Sequence, residues 1–435
     1  MLAAIALSGA LLLSREGGEA KPRALPSAPD SVTGRVGARD KILSSGGYNT
    51  FAGAWIDPTD GAVMTAFVNV TGPVAPPCTG AAAPARCDDR GFRGATHRFV
   101  LLESVDGGRN WSRRLPDEPL PGAIPHAYSG QPVVALREHD NGTRAGTLLR
   151  RVNGEDISVY PEFGGPSAAY LQRLEPGATR WAGRSIMLDP ARFTYNISRI
   201  QRLRDGRTLV ALGAFWNAPA GERLSTPGPI RAEWLLMTST DEGRTWRNAL
   251  ATPPDIDETA PAGEWDAVEL PNGDLLTVMR TTDRPGVRRQ VILKRTDDTI
   301  ITNTGEQTDG GFVMGSPRPT TPGFAQSEGP QHPDLLAIEH GPAAGGILHI
   351  ADEAIHYTAD RGSSWKRVAF NSDWTPHYYP NSVQAPNGDI FVFSHAGSDE
   401  NYTAAADKPV YMDRVRLAAD GARDVDRGQA VGDAG

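Results

Sequence analysis

The sequence predicts an all-β fold in which one strand-turn-strand unit is repeated around a centre. Three observations carry this expectation. A series of Asx-Gly turns lies between apolar strands, a second turn motif recurs out of phase with the first, and residues 45–417 lack the periodicity of extended amphipathic helices. Composition agrees, since 48 Gly and 35 Pro accompany 39% hydrophobic residues, a mixture suited to many turns between short strands. A chain of 435 residues has enough length to bury a core without disulfides or metals.

The first series comprises Asp60-Gly61, Asn141-Gly142, Asp205-Gly206, Asn272-Gly273 and Asn387-Gly388. Asx-Gly is the strongest short hairpin signal, because both residues tolerate the positive φ of a tight turn. Four of these turns have apolar flanks: AWIDPTDGAVMTAF, RIQRLRDGRTLVAL, AVELPNGDLLTVM and SVQAPNGDIFVF. A degenerate sixth unit, LLAIEHGPAAGGILHI, turns around Gly341. Six units spaced by 46 to 81 residues read as radial repetition.

The second series is S/T-x-D-x-G-x-x-W, seen at Ser104 to Trp111, Ser239 to Trp246 and Thr358 to Trp365. Each copy follows an apolar strand, so it belongs to another hairpin of the same unit. Its logic is local: the hydroxyl and the Asp carboxylate bond turn amides, Gly takes positive φ, and Trp returns to the packed layer. This motif resembles the Asp-box, or bacterial neuraminidase repeat, and over residues 45–417 the chain is similar to the sialidase superfamily. The resemblance implies a six-bladed β-propeller of four-stranded antiparallel blades. It also implies that the Asp residues of the boxes are structural and not catalytic.

The same resemblance implies a site. In that family a neutral Tyr, activated by Glu, attacks an anomeric carbon that bears a carboxylate, where a carboxylate nucleophile would be repelled. An Asp serves as acid and base, and arginines hold the substrate carboxylate through forked donors. Glu264 matches the activating Glu and Arg280 matches one arginine, since they bracket the hairpin AVELPNGDLLTVM. Alternation places Leu276, Val278 and Arg280 on one face of the second strand. Tyr379 matches the nucleophile, with Tyr378 in reserve, although Pro380 stands where the family commonly has Ser. For the acid and base, Asp89 is the candidate, with Asp88 beside it in the loop after Cys87. The first blade opens with YNTFAGAW and carries no arginine there, and the only arginine of ILHIADEAIHYTADRGSSW, Arg361, belongs to a box. The resemblance therefore implies an exo-glycosidase acting on terminal sugars of glycans. A non-catalytic propeller that binds carbohydrate or protein at its channel mouth is the alternative, and fold alone does not choose between them.

Other features bound the biology. Lys plus Arg number 44 against 52 Asp plus Glu, and a net charge of −8 removes the electrostatic case for nucleic-acid binding. No CxxC or HExxH occurs, and no metal or organic cofactor is expected. Cys78 and Cys87 either close a small loop or are two unrelated thiols. Residues 1–14 hold an apolar run that reads as a signal-like or anchoring segment, which predicts export from the cytoplasm. Five N-x-S/T sequons, including Asn69 and Asn110, fit a secreted chain. Residues 15–44 read as a linker, residues 418–435 as a flexible tail, and the expected state is a monomer.

Overall fold

The computed structural model describes residues 28–73, 96–119, 200–217, 231–254, 261–281, 288–320, 333–395 and 409–419, less short gaps at 38–39, 44–46, 58–59, 117 and 352–353, with five strands and one turn between 132 and 195. Asn141-Gly142 lies outside these residues. Among the described residues all regular structure is strand, and no helix occurs. The fold is all-β and propeller-like.

The strands form six sheets in chain order. Sheet 1 runs Tyr48–Ile56, Val63–Thr71, Thr96–Ser104 and Ser112–Arg113. Sheets 2, 4, 5 and 6 lead with Pro132–Ala135, Pro261–Glu269, Asp334–Ala337 and Tyr378–Gln384, and the short strands Phe193–Tyr195 and Gln201–Arg202 lead sheet 3. The leading strand of sheet 1 touches those of sheets 2 and 6, and the leading strand of sheet 5 touches those of sheets 4 and 6. The leading strand of sheet 4 also lies against Leu209–Asn217 of sheet 3. Leading strands therefore face the centre.

Two expectations are corrected. Among the described residues two sheets have four strands, and the others gain short strands from the connections. Two of those pairings are parallel: Leu250 and Ala251 on Phe312 and Val313, and Thr33 and Gly34 on Ala369 and Phe370. The stretch read as a linker contributes two strands, Val32–Val36 and Asp40–Leu43, both antiparallel to Val410–Ala419. The physical reason lies in VTGRV, a short alternating strand that buries Val32 and Gly34. Gly34 is required, because a Cβ there would lie 2.1 Å from the Phe370 ring. The chain's early and late strands thus meet in sheet 6, which removes an exposed edge. Residues 1–14 lie outside the described residues.

The apolar core lies between sheets. Leu212, Trp234 and Leu236 of sheet 3 meet Trp265, Leu275 and Met279 of sheet 4, with the two indoles 4.8 Å apart. Ile350 and Tyr357 meet Val392 and Val415 between sheets 5 and 6, and Phe67 meets Phe393 between sheets 1 and 6. Trp181 packs edge-on against Phe99 between sheets 1 and 2. A ring of strands can bury both faces of every sheet only in this way.

The three S/T-x-D-x-G-x-x-W turns share one geometry. In the first, Ser104 Oγ donates to Asp106 Oδ1 at 2.8 Å and accepts from Gly108 N at 2.7 Å, while Asp106 Oδ1 accepts from Arg109 N and Asn110 N. Ser239 with Asp241 and Thr358 with Asp360 repeat the pattern. The turns occur in sheets 1, 3 and 5, and each is held by the third strand of the preceding sheet. Arg414 donates to Gly107 O, Arg173 to Glu242 O, and Gln290 Nε2 to Gly362 O at 2.6 Å. Trp365 is buried and donates to Gln290 Oε1 at 2.8 Å, and Trp111 meets Phe393 edge-on. The motif is thus a joint between sheets as well as a turn.

The turns of both series are acid-sensitive, as Asp205 of the Asp205-Gly206 turn and Asp241 and Asp360 of the second series show. Partial burial pushes the Asp205 carboxyl up, but bonds from Thr208, Arg295 and Arg207 outweigh it and hold the group at about 2. In Asp241 and Asp360 burial also opposes, and bonds from Thr245 and Ser364 prevail, leaving both carboxyls low. A depressed folded-state pKa stabilises fully above the unfolded value near pH 4 and ceases to do so as pH falls through the folded value. Asp205→Ala should therefore lie below wild type in urea midpoint from pH 5 to 7, and the two proteins should converge as pH falls from about 4 to about 2. Parallel curves across that range would contradict this assignment.

Candidate active site

Among the described residues, the leading strands of sheets 1, 3, 4, 5 and 6 end at an Asx-Gly or equivalent turn. Leu270 N donates to Asp274 O, and Ala385 N to Asp389 O, Leu203 N to Thr208 O, Asp57 N to Ala62 O and Ile338 N to Gly346 O make the same closing bond. The box turns close the hairpin between third and fourth strands, so both turn types occupy one end of the ring. The opposite end carries the starts of the leading strands and the ends of the second strands. Tyr48, Asn49, Asn69, Tyr379 and His395 are there, together with the backbone of Glu264 and Arg280.

At this end four leading strands are bulged, those of sheets 1, 2, 4 and 6. In sheet 6 Tyr378 opposes His395 and Asn381 opposes Phe393, so three steps on one strand face two on the other. Pro380 explains the slip, since it has no N–H to give the ladder. Tyr379 takes φ of 50°, a left-handed conformation that is strained for an aromatic residue. Its ring is buried and stacks on His395 at 6.1 Å and 26°, and His395 meets Tyr48 edge-on at 6.1 Å. In sheet 4 the register slips between Pro261 and Trp265, which oppose Thr281 and Met279, and Glu264 falls inside that slip. In sheet 1 the slip lies between Thr50 and Gly53. Counted back from the turn-closing residues Leu270, Ala385 and Asp57, the same offset falls on Glu264, Tyr379 and Phe51.

The structure thus brings Glu264 and Tyr379 to one end of the ring, at equivalent backbone positions two sheets apart. Arg280 ends the second strand of sheet 4 opposite Arg288, beyond buried Leu276 and Val278, whose row packs on sheet 5. The side chains of Glu264, Arg280 and Tyr378 lie outside the described residues, as do Asp88, Asp89, Cys78 and Cys87 altogether. The strands flanking Asp88 and Asp89, Val63–Thr71 and Thr96–Ser104, end and begin at the Tyr379 end.

Sequence reasoning missed a polar girdle around the centre. Asp266, 1% exposed, accepts from Leu335 N at 2.8 Å and from Gln201 Nε2 at 3.1 Å, joining sheets 3, 4 and 5. Ser382 Oγ donates to Asp334 Oδ2 between sheets 5 and 6, and Ala54 N donates to Asn381 Oδ1 at 2.9 Å between sheets 6 and 1. Asp266, Asp334 and Asn381 share one offset before the turn, a signal the sequence carried. Between sheets 4 and 5, His349 and His356 are fully buried beside Trp365. Burial first, then the charges of Arg288 and His356, hold His349 well below the usual histidine range, so it is neutral. Asn69 is a correction to the sequon reading: it is buried and donates to Asn49 Oδ1 at 2.8 Å, so it offers no attachment point. Among the described residues no group of three or more His, Cys, Asp or Glu is placed to hold a metal.

Solved structures share this architecture. A protein of unknown function from Dyadobacter fermentans aligns with TM-score 0.56 and 17% identity over 88% of this chain and 99% of its own. The GH93 α-L-arabinofuranosidase of Fusarium graminearum, solved with arabinobiose, aligns with TM-score 0.54 and 13% identity over 88% of this chain and 98% of its own. A Hadza microbial sialidase aligns with TM-score 0.53 and 16% identity over 85% of this chain and 65% of its own. At these identities the likeness establishes the propeller-like fold. No protein-family model matches the chain, and no curated protein matches it in sequence.

Proposed function

We propose that the chain is a six-bladed propeller glycoside hydrolase with Asp-box hairpins, removing terminal sugars from glycans. One observation carries the reading: Glu264 and Tyr379 occupy the same bulged position of two leading strands, at the end opposite the structural turns. Bulges re-aim side chains beside active sites, and left-handed strain persists where surrounding structure holds it for function. Sialidases and an arabinofuranosidase among the structures of this shape support it.

In this reading Glu264 takes the proton of Tyr379 Oη, and the phenolate attacks the anomeric carbon as the glycosidic bond breaks. Asp89, or Asp88 beside it, protonates the departing oxygen. Water then attacks the anomeric carbon, losing its proton to the Asp, and Tyr379 departs with the proton held by Glu264. Arg280 holds an acidic group of the sugar. The apolar run at residues 2–13 supports export to where glycans are met.

A second reading keeps the hydrolase and changes the sugar. Phe51 stands at the equivalent bulged position of blade 1, where no arginine is present to meet a carboxylate. That favours a neutral terminal sugar such as an arabinofuranoside.

Release of fluorophore from a panel of aryl glycosides, led by the α-sialoside and the α-L-arabinofuranoside at pH 4 to 8, separates the readings. Glu264→Gln should lower turnover of the accepted glycoside by about 10²- to 10⁴-fold. Unchanged turnover would remove Glu264 from the mechanism. Silence of folded protein across the panel would favour the binding propeller.

A further inference from the structure

The outer rim at the Tyr379 end of the ring contains a cavity that the mechanism above does not use. It measures about 420 Å³, and its lining includes Arg367, Phe370, Ser372, Asp373, Trp374 and Thr375. That volume is in the range of small-ligand sites and exceeds one hexose. Its walls come from the third and fourth strands of sheet 5 and from the connection that leads into Tyr378–Gln384. Two anchors place it at the Tyr379 end. Ala354 is the first residue of the third strand of sheet 5, directly after the loop at that end, and His377 stacks on Tyr411 at 4.9 Å just before Tyr378.

The lining has the chemistry of carbohydrate recognition. Phe370 and Trp374 form an edge-to-face pair at 4.9 Å, so one wall is a rigid aromatic surface of the kind that meets the C–H face of a sugar. Around it stand a guanidinium with forked donors, an exposed carboxylate and two hydroxyls, which supply donors and acceptors for ring hydroxyls. The cavity is open to solvent on the rim and continuous in chain with the catalytic segment, five residues from Trp374 to Tyr379. A ligand held there and at the channel mouth together is an extended chain, not a single sugar.

We propose that this cavity is a saccharide subsite that holds an internal unit of the glycan whose terminal sugar is cleaved at Tyr379. The proposal rests on the glycosidase reading for the second half of that sentence only, because sugar binding in the cavity is measurable without turnover. It predicts a preference for oligosaccharides over aryl monoglycosides, and it assigns that preference to the connection between sheets 5 and 6.

The test pairs binding with kinetics on the full chain. Trp374→Ala and Asp373→Ala are compared with wild type and with Tyr379→Phe, using sialyl-oligosaccharides and linear arabino-oligosaccharides as probes in calorimetry and in initial-rate assays. Asp373 is exposed, so its variant remains folded even if loss of Trp374 loosens its contacts. The expected result is that each rim variant weakens oligosaccharide binding and raises KM for the oligosaccharide by about 3- to 10-fold, a loss matching an aromatic or hydrogen-bonded contact. The kcat/KM for the aryl monoglycoside stays at the wild-type value. Tyr379→Phe should bind the oligosaccharide and not cleave it. Binding that depends on Trp374 in a protein without turnover would keep the subsite and overturn the hydrolase. Turnover with wild-type oligosaccharide binding in both rim variants, or no oligosaccharide binding by wild type, would overturn the subsite.

Discussion

Tyr379→Phe is expected to fold as wild type does and to lose turnover of its glycoside by on the order of 10³-fold or more, the scale seen when a covalent nucleophile is removed. The substitution deletes one hydroxyl. The ring keeps its stack on His395, the left-handed backbone at residue 379 is unchanged, and Pro380 still forces the register slip. Stability should therefore stay within about 1.5 kcal/mol of wild type, the scale of a single hydrogen bond. Because chemistry and fold separate cleanly at this position, a variant that retains more than a tenth of the wild-type kcat contradicts the assignment. Tyr378→Phe is the matched control, one residue away on the same strand, and it should leave kcat close to wild type.

Asp266→Ala should have the largest effect on stability. The carboxylate is buried between three sheets, and it accepts the amide of Leu335 and the side-chain amide of Gln201. Hydrogen bonds to a charged group contribute about 1.5–3 kcal/mol each, and their loss leaves the Leu335 N–H buried without its acceptor, so the variant should lose about 3–5 kcal/mol. Asp266→Asn retains an oxygen for Leu335 N and should lose less than half as much. The check is urea unfolding of the three proteins, followed by glycoside turnover at a denaturant concentration where all are folded. A loss under 1 kcal/mol for the alanine variant would mean that the girdle does not hold the sheets. A selective loss of turnover in Asp266→Asn would make this residue, instead of Asp89, the acid.

Much of this architecture was legible because its signals are local. The Asx-Gly and S/T-x-D-x-G-x-x-W turns are closed by their own backbone and side chains, so neither needs a distant partner to be recognised. The placement of Glu264 and Tyr379 at one end of the ring was legible because each precedes such a turn by a few residues, as in the pattern they resemble. What was not legible depends on contacts between segments far apart in sequence. Val32–Val36 is a strand only because Val410–Ala419 offers it an edge, and Gly34 signals nothing until Phe370 lies over it. His395 becomes part of the site through the rings of Tyr48 and Tyr379, which approach from different sheets. The carboxylates of Asp266 and Asp334 look like solvated charges in the sequence, and their burial follows from the neighbouring sheet that donates to them. Pro380 has the reverse character. As a departure from the sialidase pattern it counts against Tyr379, while in the structure it lies within the bulge and follows the left-handed backbone of Tyr379.

Covalent trapping asks whether Tyr379 is the nucleophile. The protein is incubated with an activated fluorinated glycoside matching the accepted sugar, which forms the glycosyl-enzyme and slows its hydrolysis. Peptide mapping by mass spectrometry then locates the added mass. The expected result is one sugar on Tyr379, absent from Tyr379→Phe and reduced in Glu264→Gln. A sugar on Glu264 or on another carboxylate, with Tyr379 unmodified, would contradict it.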